Sequence, residues 1–150
     1  MKNFIEQFQK TLTIAYSHLA EISEEHSAEP LGEGKWSRRE YLGHLIDSAS
    51  NNHQRFVRAQ LLDELFFPEY EQERWVHAQN YKNEKWIDLV VLWKSYNQHL
   101  LHVVGAIPEN QLGKKCVIGN KEPMTLSELI EDYLRHMRQH LEQVTGKPLS

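Results

Sequence analysis

His136 and His140, four residues apart near the C-terminal end of the chain, have the spacing that most directly suggests chemistry. In a helix that separation stacks two imidazoles one turn above the other on the same side. Ring nitrogens from adjacent turns can then share one cation, which makes half of a metal site on a single rigid rod. The same pattern arises where helix-face histidines only bond their neighbours, and nine histidines in 150 residues make one such pair unsurprising. It is not the zincin motif, because Met137 stands where that motif places its general-base glutamate. A third ligand has to come from elsewhere.

The element that must carry the pair is a helix over residues 125–144. Thr125 with Glu128 three residues on forms a capping box, and Leu126, Ile130, Tyr133, Met137, Leu141 and Val144 recur at helical spacing. A second capping box, Ser37 with Glu40, starts a helix expected to continue to about residue 65. Tyr41, Leu45, Ala49, Phe56 and Ala59 form its apolar stripe. His44 lies at the edge of that stripe, and Ser48, Asn51 and Arg55 share its side, a polar track beside the core that reads as a lined cavity or as a solvated face. His53 is nine residues from His44, so it should face the other way and not contribute.

Two more helices follow from periodicity, at residues 3–23 and 84–104. His99 and His102 on the latter have no polar track around them and read as structural histidines. The connections at 66–83 and 106–124 are long for a bundle, so the first suggests a crossover or a lid. Residues 115–118 could form a short extended piece, and the tail from 146 to 150 should be loose. The expected fold is all-α: a single-domain four-helix bundle over 1–150, with long connections after the second and third helices.

Composition narrows the function classes. A net charge of −4 with no basic run argues against nucleic acid as a partner. No stretch has the length of a membrane span, and the polar, amphipathic N-terminus lacks a signal-peptide core. Cys116 is the single cysteine, so no internal disulfide is possible and a cytoplasmic setting is expected.

Trp36, Ser37, Glu40, Gly43, His44, Leu45, Ile46, Asp47 and Ser48, followed by Asn51, Arg55 and Phe56, resemble the second-helix motif of the DinB/YfiT superfamily. Tyr133, His136 and His140 are similar to that family's C-terminal signature. The resemblance covers nearly the whole chain. It implies helices running up-down-down-up and a divalent metal, nickel or zinc, held by His44, His136 and His140. It implies an enzyme in which a metal-activated water or thiol attacks a small molecule, by hydrolysis or S-transfer, with a low-molecular-weight thiol as a possible co-substrate. A homodimer is implied as well. Some relatives carry an extra histidine beside the ligands; Gly43 and Gln139 take those places here, which puts an auxiliary acid–base role in doubt.

Three histidines leave coordination positions open, as a catalytic site requires. Asp47 and Asp132, one turn from His44 and His136, are candidates to accept from the ligands' second ring nitrogens, or else are exposed helix-surface acids. Ser48, Asn51 and Arg55 could line the pocket, with Arg55 available to a substrate carboxylate. The alternative function is a non-catalytic, metal- or small-molecule-binding, stress-associated bundle. A plain helical interaction protein, with the histidines as packing residues, is the third reading.

Overall fold

Both capping boxes form. Ser37 Oγ accepts from the Glu40 backbone N–H at 3.2 Å while Glu40 Oε1 accepts from the Ser37 N–H at 3.1 Å. Thr125 Oγ1 and Glu128 Oε2 make the same exchange at 3.1 and 2.8 Å. Each box satisfies backbone donors that a helix start leaves free, and so sets where the two histidine-bearing helices begin.

The computed structural model describes residues 1–149. In chain order its elements are α1 (Lys2–Ala20), α2 (Glu24–Ser27), α3 (Arg38–Leu61), β1 (Glu64–Phe67), α4 (Gln72–Ala78), α5 (Trp86–Gly105), β2 (Lys115–Ile118), β3 (Met124–Thr125) and α6 (Leu126–Thr145). The four long helices, α1, α3, α5 and α6, are the expected ones. α3 packs on α5 and α6, and α1 packs on the same two from the other side. Phe8, Leu12, Phe56, Trp93 and Ile130 are fully buried between them. Each such side chain contributes roughly 1.5–3 kcal/mol by leaving water. Tyr133 joins this core with its hydroxyl donating to Asn97 Oδ1 at 2.5 Å, so those two polar groups are partnered, whereas Trp93 Nε1 has no partner among the described residues.

Three expectations need correcting. α3 stops at Leu61 rather than near residue 65, and the all-α description omits a three-stranded sheet ordered β1-β2-β3. Leu65 pairs with Cys116 in the parallel β1–β2 ladder, and both side chains are buried. The apolar run at 65–67 suits a strand as well as a helix end, and pairing with a distant partner decides it. The extended piece expected at 115–118 is β2, which also pairs antiparallel with β3. The tail is tied down rather than loose through 149: Leu149 is buried and Lys147 Nζ lies 2.7 Å from a Glu21 carboxylate oxygen.

Candidate metal centre

α3 and α6 lie side by side, and the three histidines meet between them. The ring centroids are 5.3 Å apart for His44 and His136, 5.1 Å for His44 and His140, and 4.5 Å for His136 and His140. One nitrogen from each residue lies within 4.8 Å of the other two. The Trp36 ring covers His44 at 5.3 Å, and the Tyr41 ring sits 5.7 Å from His140.

The donor set fits a cation. His140 Nδ1 donates to Gln143 Oε1 at 3.0 Å, which leaves Nε2 as the lone-pair nitrogen and fixes the ring's orientation. That Nε2 is 3.0 Å from His136 Nε2. Two imidazole lone pairs cannot face each other at that distance without a proton or a cation between them. His44 Nδ1 is buried with no hydrogen-bond partner among the described residues, so this ring keeps coordinating capacity that no protein group uses. Burial, then the neighbouring histidine charges, pushes His44 down to about 3. Burial and His140 take His136 down to about 4. Both rings are therefore neutral at neutral pH, the form that binds a metal.

The other candidates divide. Ser48 and Arg55 line a cavity of about 280 Å³ with Asn52, Tyr70, Tyr133 and His136. Asn51 does not line it: its side chain donates to the Asp47 backbone carbonyl at 2.9 Å. Asp47 is neither an exposed acid nor a partner of His44. It is buried, and its Oδ1 accepts from Tyr81 Oη at 2.7 Å and from Gln79 Nε2 at 2.8 Å. Burial raises its pKa, and those two bonds oppose the rise. Asp132 borders the cavity but pairs with Arg135 rather than with His136. His53 donates or accepts at Tyr96 Oη, 2.9 Å away on α5, and stays out of the cluster as its wheel position implied. Sequence reading missed Asn52, Tyr70, Gln79, Tyr81 and Gln143. Only Asn52 and Gln143 carry a signal, being four residues from Ser48 and three from His140.

A family model, that of the DinB superfamily, matches residues 7–144. The chain belongs to this superfamily. Three solved structures share its fold. YfiT from Bacillus subtilis, described as a probable metal-dependent hydrolase with an unusual four-helix bundle topology, is 17% identical with a TM-score of 0.84, over 97% of this chain and 83% of that one. A mycothiol-dependent maleylpyruvate isomerase is 13% identical with a TM-score of 0.79, over 95% of this chain but 60% of its own length. The DinB-like protein YjoA of Bacillus subtilis is 17% identical with a TM-score of 0.69, over 96% and 87%. At these identities the likeness to the three structures is one of fold. No curated protein sequence matches the chain. No helix among the described residues is long and apolar enough to cross a membrane.

Proposed function

We propose that this DinB protein is a metal-dependent enzyme whose ligands are His44, His136 and His140, acting on a small molecule by hydrolysis or by transfer to a thiol. The observation that carries the proposal is the pair of imidazole nitrogens held 3.0 Å apart beside a third, buried histidine. A divalent metal there would lower the pKa of a coordinated water or thiol, supplying a nucleophile near neutral pH. Nickel and zinc both accept imidazole, and either suits this donor set. Gln143 orients His140, Trp36 and Tyr41 shield the rings from solvent on one side, and the cavity gives a reactant access beside His136.

Several companion expectations belong to the same proposal. The up-down-down-up helix order is supported by Arg38 reaching the Val144 carbonyl while Phe56 meets Tyr133, by Thr11 meeting Arg138 while Glu21 meets Lys147, and by Trp86 at the start of α5 donating to the Leu19 carbonyl near the end of α1. A homodimer would cover the exposed apolar side chains of Leu61, Leu62 and Phe66. A low-molecular-weight thiol as co-substrate and a cytoplasmic setting complete the reading.

The test is elemental analysis of untagged protein. Near-stoichiometric nickel or zinc is expected, with at least a tenfold loss of affinity in His136→Ala. Full metal content in alanine variants of all three histidines would overturn the assignment. Turnover is then sought with several thiols and electrophiles, with and without added metal.

A further inference from the structure

We infer that the cavity beside His136 contains a subsite for a compact oxyanion, a carboxylate or a phosphate, with Arg55 as its binding residue. Arg55 is only 8% exposed, yet its Nε has no hydrogen-bond partner among the described residues. A buried guanidinium ordinarily finds a carboxylate, because an unpaired charge removed from water is costly. The acids that border this cavity have their ion-pair partners elsewhere, and Glu69 acts on Arg55 only as a nearby charge. Glu69 pairs with Lys121 at 3.5 Å, and Asp132 pairs with Arg135. The Phe67 ring lies 5.1 Å from the guanidinium carbon, a contact that positions the charge without neutralising it. The cavity therefore has on one wall a forked donor whose Nε is unpartnered and whose burial the nearby Glu69 charge offsets only in part, and His136 on another.

A guanidinium binds carboxylate and phosphate through paired N–H donors, with more geometric specificity than a lysine gives. Tyr70 adds a second donor to the wall. Burial pushes its phenol up to about 12, so it keeps its proton at neutral pH. That the molecule bound here is also the one that reacts rests on the proposed function above: its anionic group would sit at Arg55 and its reacting group would reach the histidines. The subsite itself does not depend on that reading.

The probes are succinate and inorganic phosphate, added to chelator-treated, metal-free protein at matched ionic strength. Binding is read by calorimetry and by the shift in melting temperature. One of the two anions should raise the wild-type melting temperature in a saturable way, and the responding anion assigns the subsite to carboxylate or to phosphate. Arg55→Met should lose the shift while melting at or above the wild-type temperature, because it removes a buried unpaired charge. Arg55→Lys should keep a folded protein and bind at least tenfold more weakly. The inference is overturned if neither anion binds the wild type, if Arg55→Lys binds as well as the wild type, or if Arg55→Met melts several degrees lower. That last result would mark the arginine as structural. Because these measurements use metal-free protein, their failure leaves the metal analysis standing, and the reverse holds too.

Discussion

A Cβ built on Gly43 would lie 2.2 Å from Cδ2 of the Tyr81 ring, so that ring rests directly on the α3 backbone one residue before His44. No side chain fits at position 43 while Tyr81 stays in place. Gly43→Ala sets two effects against each other. Helix propensity favours alanine by about 1 kcal/mol. Forcing a methyl group into an occupied site typically costs about 1–3 kcal/mol, and the overlap here is severe. We expect net destabilisation, read as a lower urea midpoint. A midpoint that stays level or rises would mean that the tyrosine moves aside at no cost.

The same tyrosine holds Asp47. Its hydroxyl and the Gln79 amide both donate to Asp47 Oδ1, which ties the segment after α4 to the middle of α3. Tyr81→Phe leaves a buried carboxylate short of a donor, at a cost of about 1–3 kcal/mol. Asp47→Asn should cost a similar amount. Because the two residues share one bond, the double variant should be less destabilised than the sum of the singles, by about 0.5 kcal/mol or more. Additive losses in a double-mutant cycle would show that the bond does not link them.

The parts of this molecule that were legible in the sequence are those set by neighbours a few residues apart. The Ser37–Glu40 and Thr125–Glu128 boxes placed two helix starts, and the 3.6-residue period placed the faces carrying His44, His136 and His140. What escaped depends on the path of the connections. Leu65 lies in a strand because Cys116 arrives beside it, and no local pattern reports that pairing. Asp47 read as an acceptor for His44 or as a surface acid because nothing in its own helix shows that Tyr81 and Gln79 fold over it. The residues lining the cavity from 69 to 72 were invisible for the same reason.

The start of α5 gives a further case. Lys85 provides no side-chain cap; instead Glu24 of α2 accepts from the Trp86 N–H at 2.7 Å and the Ile87 N–H at 3.0 Å. An acidic group there also suits the positive end of the helix. Arg39 holds this carboxylate at 3.3 Å. Glu24→Ala should cost about 1–2 kcal/mol, the range for losing a helix cap. Glu24→Gln, which keeps one acceptor oxygen, should cost less. Equal stabilities for wild type and both variants in urea denaturation would show that the cap is dispensable.

Acid sensitivity of the metal-free protein follows from the two histidines with lowered pKa values. His44 falls to about 3 and His136 to about 4, from 6.5 for an unperturbed imidazole. Below pH 6.5 the unfolded chain takes up protons at these sites while the folded chain does not. Stability therefore falls as pH drops from about 6.5, and the loss levels off only below the folded-state values. Each site can contribute a slope of up to about 1.4 kcal/mol per pH unit. Asp47 works in the opposite direction: its raised pKa lets the folded state bind a proton first, which offsets part of the loss at the acid end. Urea denaturation of chelator-treated protein between pH 7 and pH 4.5 should show the decline, and His44→Gln should flatten it. A bound metal should steepen it, since the same protons compete with the cation for the imidazoles. If wild type and His44→Gln lost stability in parallel across that range, His44 would not be the buried neutral ring that its burial and its histidine neighbours make it.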